Sequence, residues 1–283
     1  MMDRRTAEES FFKTLMYLSI IIVVGSLFLV FAIVIMKGIG ALNIAMVTQV
    51  PHGGYYLGRE GGILNAIIGS VYLSTGAIIF ASVISLPTAW YLQNYSERSN
   101  YATLVRSMLD VAAGIPSLIY GAFIFLVMIM VHARASLLWG IITVGVFLVP
   151  LLTRAIDEIM QMVPAKLKEA SLSLGASRLE TIFHVVTRQA LPGIITAVLV
   201  AFGRGIGDAA SVLFTAGYTD SIPTSLNDPV ATLPLAIFFQ LGTPFPQVQQ
   251  RAYASGIILL IIVFVICIGS RYLSKKFTKY VIK

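Results

Sequence analysis

The stretch "TAVLVAFGRGIGDAASVLFTAG", Thr196 to Gly217, decides how the rest of the chain is read. Its length and apolarity suit a membrane-crossing helix, because a hydrocarbon core of about 30 Å takes roughly 20 residues at 1.5 Å each. Yet Arg204 and Asp208 sit near its middle, where each is expected to cost about 2.5–3.5 kcal/mol on insertion scales. At about 100° per residue, a continuous helix places Arg204, Asp208, Ser211 and Thr215 on one polar stripe about 16 Å long. Gly203 and Gly207 form a G-x-x-x-G pair on another face, which lets a second helix come close. Mutual neutralisation of Arg204 and Asp208 at i and i+4 gives no reason to place them there, since two apolar residues usually serve stability as well. The stripe therefore reads as the wall of a water-accessible solute pathway.

Composition agrees with a membrane location. Of 283 residues, 57% are hydrophobic and 12% charged, with mean hydropathy +0.87; soluble domains carry about 25% charged residues. Six apolar stretches qualify as spans, near Thr14–Met36, Ile63–Leu92, Gly114–Val131, Leu137–Leu152, Leu191–Gly217 and Ala254–Tyr272. Pro87 predicts a bend near the end of the second. Fifteen of the twenty Lys and Arg fall on one side if the N-terminus is cytoplasmic, so the positive-inside bias puts both termini in the cytoplasm. That topology accounts for the net charge of +7 without nucleic-acid binding. The first apolar run continues into a span and is too long for a cleavable signal. The whole chain, 1–283, reads as a single transmembrane domain in an all-α integral membrane protein.

Enzymatic classes find little support. Cys267 is the one cysteine, so disulfides within the chain and a thiolate metal cluster are not expected. His52, His132 and His184 are far apart and on different sides of the proposed membrane, so no metal site and no catalytic residue is assigned. A G-x-x-x-x-G-K-[ST] phosphate loop is missing, and "GRGIG" has no preceding strand to make it a nucleotide fingerprint. Asn94-Tyr95-Ser96 matches a glycosylation acceptor but falls on the cytoplasmic side.

Two loops exceed what connection requires. In the cytoplasmic segment Thr153–Ala190, Pro164 suits a first helical turn, and "AKLKEASLSL" continues with good helix formers up to a left-handed stop at Gly175. Ser177 and Glu180 then make an S-x-x-E capping box for a second helix carrying Leu179, Ile182, Phe183 and Val186. Two helices meeting at a glycine corner, with small residues Ala170, Ser171, Gly175 and Ala176, would present a low-relief surface to a partner's groove. An amphipathic pair lying on the lipid headgroups is the bland alternative. The external segment Tyr218–Arg251 holds "SIPTSLNDPVATLP" and "GTPFPQ"; it reads either as a cover over the outer mouth that meets a soluble partner or as a simple lid of turns.

The stretch "EASLSLGASRLETIFHVV" resembles the EAA loop of ABC-importer permeases, in which Glu-Ala-Ala is followed after three residues by Gly. Glu169, Ala170, Ser171 and Gly175 occupy those places, with Ser171 for the second alanine and Thr187-Arg188 where the family commonly has Leu-Pro. Leu191-Pro192 would supply that turn slightly later. "GGILNAIIGSVYL", "GIPSLIYG", "ALPGIITAVLVAFGRGIGDAASVLFTAG", "SLNDPVATLPLAIF" and "PFPQVQQRAYASGIILL" are similar, in order, to phosphate-transport permeases of the PstA type. In such families R-x-x-G-E occupies the fifth span; Arg204 and Gly207 match, and Asp208 replaces the glutamate.

The resemblance implies a type I ABC-importer fold of six transmembrane helices with cytoplasmic coupling helices, in a prokaryotic inner membrane. It also implies four kinds of partner: a second permease subunit, a dimer of ATPase subunits, an external phosphate-binding protein and the surrounding membrane lipid. No cofactor belongs to this chain, and ATP and Mg would bind the partner ATPase. Glu169, Ala170, Ser171, Gly175 and Ala176 would couple to that ATPase. Arg204 would offset desolvation of a phosphate anion with its planar fork, with Ser211, Thr215 and Ser117 of the third span as weaker lining candidates. Asp208 would either hold Arg204 or accept a hydrogen bond from protonated phosphate. The expected function is an ATP-driven phosphate importer subunit. Its rivals are the companion PstC-type permease, a molybdate or sulfate permease, and an ATP-independent channel or secondary transporter, which would leave the Glu169–Gly175 pattern unexplained.

Overall fold

The computed structural model describes residues 4–52, 60–95 and 100–278. Ser96 of the glycosylation acceptor, and Arg59, Arg98, Lys279 and Lys283 of the charge count, lie outside the described residues. In chain order the elements are α1 (Arg4–Gly38), a 3-10 turn (Ile39–Ala41), α2 (Ile44–Thr48), β1 (Pro51–His52) and β2 (Glu60–Gly61), paired antiparallel, and α3 (Leu64–Tyr95). Then come α4 (Asn100–Gly114), α5 (Ser117–Met130), α6 (Leu137–Gln161), α7 (Ala165–Ser173), α8 (Arg178–Glu180), a π-helical segment (Thr181–Val186) and α9 (Thr187–Ile206). The last two are α10 (Leu233–Leu241) and α11 (Pro246–Thr278).

Among the described residues, five helices are long and apolar enough to cross a membrane: Glu8–Ala41, Leu64–Gln93, Leu137–Gln161, Arg178–Ile206 and Pro246–Lys275. A sixth span exists only as the pair α4 and α5, bent by 95°. The third span differs from the single apolar stretch expected near Gly114–Val131. Pro116 explains the break: its ring pushes Ile115 out of the helical region, and it has no N–H to donate. The segment before the break is the helix α4 (Asn100–Gly114).

The core lies where α3 and α6 cross. Leu73, Val144, Leu148, Leu152, Ile156, Met160 and Val186 are all buried there. Close approach depends on glycine: a Cβ on Gly145 would stand 2.4 Å from the Phe80 ring. Burial of this kind contributes roughly 25 cal/mol per Å² of apolar surface where water is the alternative, and dispersion takes over where it is lipid. By contrast α1 leaves Ile20, Ile21, Val23, Phe28 and Leu29 exposed, which suits a helix with a lipid-facing surface.

The fifth span departs most from expectation. α9 stops at Ile206, Gly207 is its C-cap, and the chain then runs in turns to Gly217. Pro192 lies inside α9 instead of turning the chain, because the π-helical segment before it carries the helix on without interruption. Thr187 joins the two by donating its hydroxyl to the Ile182 carbonyl at 2.8 Å.

Beyond the turns, the segment 218–232 folds onto the start of α6. Leu137 and Leu138 N–H groups donate to the carbonyls of Asp228 and Leu226, both at 2.8 Å, and the Ser136 N–H to the Thr215 carbonyl at 3.0 Å. The N-terminal donors of α6 are therefore satisfied by a distant loop. The external segment 218–251 is more than a lid of turns, since it also contains α10, whose Leu233, Leu235 and Ala236 are buried.

Candidate functional site

The break after α9 brings Ser117 onto Asp208 and turns the Ser211 and Thr215 side chains into the interior. Asp208 follows directly on the C-cap, and its carboxylate is held at both oxygens. Ser117 Oγ, at the start of α5, donates to Oδ1 at 2.7 Å, and the Ser211 N–H donates to Oδ2 at 3.0 Å. The second bond has N-cap geometry: the side chain accepts from an amide three residues on and so starts the turn that follows. α5 then runs alongside that turn. A Cβ on Gly121 would lie 2.3 Å from the Ser211 carbonyl oxygen, and Phe125 and Phe214 meet with ring centroids 5.6 Å apart.

Arg204 and Asp208 do not pair. Among the described residues neither takes part in a recorded ion pair, and the Arg204 guanidinium lies over the Phe147 ring, 5.2 Å from its centroid. Such a contact is worth about 0.5–2 kcal/mol depending on desolvation and leaves the planar fork exposed for an anion. The single stripe is corrected with it. Because the helix ends at Ile206, the 100° increment no longer applies, and Ser211 and Thr215 turn inward to full burial. Thr215 Oγ1 donates to the Ser211 carbonyl at 3.4 Å, and both hydroxyls lie in the packed interior of this chain.

The glycine pair is also corrected within this chain. Among the described residues, no atom of another helix lies within 4 Å of a Cβ built on Gly203 or Gly207. α9 approaches α6 at Gly193, against Ile159, and again at Gly205, with Leu148 and Val144 at 3.3 Å from an added Cβ. Sequence reasoning passed over Gly205 because spacing alone pointed to its neighbours.

The coupling loop is built as its local chemistry predicts. α7 ends in a Schellman pattern: the Gly175 N–H donates to the Leu172 carbonyl at 3.0 Å and the Ala176 N–H to the Ser171 carbonyl at 3.3 Å. Gly175 has φ +87°, a conformation that a side chain disfavours. The capping box is present, with Ser177 N–H donating to Glu180 Oε2 at 2.8 Å and the Glu180 N–H to Ser177 Oγ at 3.3 Å. Glu169, Ala170 and Gly175 face solvent, whereas Ser171 and Ala176 are half-buried. Ser171 Oγ shares a hydrogen bond with Thr181 Oγ1 at 2.9 Å, which fixes the angle between the two helices. Leu172, Leu174 and Leu179 are exposed around the corner.

At the far end of the bundle, the 218–232 loop is organised by Asp228. Its Oδ2 accepts from the Thr224 N–H at 2.9 Å, the Thr224 hydroxyl at 2.9 Å and the Ser225 N–H at 2.8 Å. These donors, led by the Thr224 amide, hold its carboxyl below the ordinary 3.8. Desolvation pushes Asp220 the other way.

One cluster had no signal in the sequence beyond its charges. Asp157 of α6 is completely buried and binds Arg106 through two bonds, Nε to Oδ2 at 2.8 Å and Nη2 to Oδ1 at 3.1 Å. Gln93 and Gln161 each donate to it at 2.8 Å. Counting Lys and Arg placed Arg106 and Arg154 on one side but did not foresee their partners.

Known proteins are similar to this chain in sequence and in fold. Residues 81–279 match the family described as binding-protein-dependent transport system inner membrane component, and the chain belongs to this family of multi-pass inner-membrane permeases. Its relatives within it are phosphate transport system permease proteins named PstA. That of Haemophilus influenzae is 32% identical over 258 residues, covering 90% of this chain and 89% of the relative. That of Pasteurella multocida is 30% identical and covers 84% of each. A probable PstA of Methanocaldococcus jannaschii is 30% identical, over 76% of this chain and 77% of the relative. Among solved structures, a chain of a bacterial alginate ABC transporter aligns with TM-score 0.68 at 13% identity over 99% of both chains. A chain of the MetNI methionine ABC transporter aligns at 0.61 with 18% identity, over 76% of this chain and 95% of that one. These likenesses concern the fold alone.

Proposed function

We propose that this chain is the membrane subunit of an ATP-driven importer of inorganic phosphate, forming half of the translocation pathway beside a second permease. The observation that carries the substrate is the end-to-end match to permeases named for phosphate transport, which spans 84–90% of the chain in two of them. Arg204 supports it: an exposed guanidinium without an acidic partner keeps its full charge for phosphate oxygens. Asp208 acts through structure, holding α5 to the break with Ser117 and fixing where Arg204 stands. Glu169, Ala170 and Gly175 meet the ATPase dimer, which binds ATP and Mg and supplies the driving reaction. An external phosphate-binding protein delivers substrate to the 218–251 side, and the α7 side and both termini are cytoplasmic, in keeping with the positive-inside bias.

Reconstitution into vesicles with the second permease and a cognate ATPase tests this. Labelled phosphate should enter only when ATP, the ATPase and the loaded binding protein are all present. Uptake that needs neither ATP nor the ATPase would overturn it.

A further inference from the structure

The Asp157 cluster joins four helices, α3, α4, α6 and α7. Besides Arg106 of α4, Gln93 of α3 donates to Asp157 Oδ1 at 2.8 Å and to its backbone carbonyl at 3.2 Å. Gln161, one turn on in α6, donates to Oδ2. Arg154 Nη1 stands 3.6 Å from the same oxygen, while its Nε binds Asp110 of α4 at 2.8 Å and its Nη2 binds Glu158 at 3.2 Å. Lys168 of α7 donates to Gln93 Oε1 at 3.4 Å. A carboxylate offers about four acceptor sites, and here all of them are used by α3, α4 and α6.

A buried ion pair gains little net stability over apolar side chains of the same volume, so stability alone is a poor reason for this cluster. Its position supplies a better one. α7 is the exposed helix of the docking loop, and Lys168 on it touches the amide that holds Asp157. α4, gripped through Arg106 and Asp110, leads across the 95° bend to Ser117, which binds Asp208 beside Arg204. A displacement of α7 therefore reaches the break in the fifth span through contacts of 3.4 Å or less: Lys168 to Gln93, Gln93 to Asp157, Asp157 to Arg106, then along α4 and α5 to Ser117 and Asp208.

We infer that Asp157 is a positioning residue for transport, tying the movement of α7 to the angle between α4 and α5 and so to the site at Arg204. The inference rests on the function proposed above. Packed elements with two discrete arrangements can carry such coupling, and only perturbation shows that they do. Asp157 itself is fully buried, away from the exposed face of the docking loop and from the exposed Arg204.

The test uses the assembled complex, with Asp157→Asn and, as a milder change, Lys168→Met, which removes the α7 link and leaves the buried pair intact. Three quantities are read: recovery of the ATPase with the permease, ATP hydrolysed, and phosphate transported per ATP. Asp157→Asn should retain the ATPase and continue to hydrolyse ATP while phosphate per ATP falls about tenfold or more. Lys168→Met should lower the same ratio several-fold. Spin labels at Met108 on α4 and Met130 on α5, both exposed, should show a nucleotide-dependent change of distance that shrinks in each variant. A wild-type phosphate-to-ATP ratio in Asp157→Asn overturns the inference. If that variant does not assemble, a wild-type ratio and an undiminished distance change in Lys168→Met overturn it instead. Failure of the phosphate reading is distinguishable, because the wild-type complex would then hydrolyse ATP without moving phosphate while the distance measurement still reports on the cluster.

Discussion

Two interruptions of helix, one at Gly175 and one at Gly207, look alike in sequence and are held by different forces. At Gly175 the chain is left-handed, with φ +87° and open space around it, and the donors that stop α7 and start α8 come from residues within six positions. At Gly207 the backbone is right-handed, φ −91° and ψ −6°, so the glycine itself does not force a turn. The helix ends there because Asp208 takes the Ser211 amide and is anchored by Ser117, 91 positions away in the chain. A corner fixed locally tolerates movement of its surroundings; one fixed by a distant helix moves with that helix. The first suits a rigid docking surface and the second a site that changes with the bundle.

The largest expected effect falls at the second interruption. Arg204→Ala should reduce labelled phosphate uptake at least tenfold, since a lost charge-assisted bond is worth about 1.5–3 kcal/mol, while ATPase recovery stays normal. Arg204→Lys should restore only part, because the ammonium lacks the planar fork. Wild-type uptake by Arg204→Ala would remove the site from the break altogether.

Asp208→Ala should come next. It strips the Ser117 hydroxyl and the Ser211 amide of their acceptor and should destabilise the solubilised chain by about 2 kcal/mol, visible as a lowered melting temperature. Ser117→Ala should give a smaller shift in the same direction. If Asp208→Ala melts like the parent, the distant anchor is not what holds the break and the contrast with Gly175 fails.

Gly175→Val tests the local corner. The left-handed conformation costs an ordinary residue about 1–2 kcal/mol, and with no neighbour to clash, the penalty is conformational. ATPase recovery should fall, and Gly175→Asn should fall less. Ser177→Ala should cost about 1 kcal/mol of helix start, read as faster amide exchange over residues 178–182 with the break unaffected.

The smallest effect is the response of the 218–232 loop to acid. Asp228 has its carboxyl lowered below 3.8, so its contribution is present above that value and is lost as pH falls through the lowered folded value. Amide exchange at Thr224 and Ser225 should speed up below about pH 4, and Asp228→Asn should remove the pH dependence. A pH-independent exchange rate in the parent would show that Asp228 does not organise the loop.

What was legible in the sequence follows the same division. The coupling loop was readable because Pro164, Gly175, Ser177 and Glu180 act on neighbours a few residues away. The spans were readable because hydropathy needs no partner. The bend at Pro116 was within reach of the same local rules, yet an apolar run continuing through "GIPSLIYG" masked it. The inward turn of Ser211 and Thr215 was out of reach, since a helical increment cannot foresee that Asp208 captures an amide and ends the helix. Nor does any spacing rule connect Gln93, Arg106 and Asp157, which meet only once three helices are packed.

Ending α9 at Ile206 has an electrostatic consequence for how long an anion stays. The aligned peptide dipoles of a helix leave about half a negative charge at its C-terminus, and Arg204 lies in the last turn of α9. The guanidinium is steadied by that field, and the field in turn offsets part of its pull on a passing anion. The opposite pole of α6 gives no compensating attraction, since its first amides are already engaged by the Leu226 and Asp228 carbonyls. On the proposed function, phosphate would meet a fully charged guanidinium whose pull is tempered by the field of the helix end beside it. A short residence time is what a carrier that must release its cargo once per cycle requires.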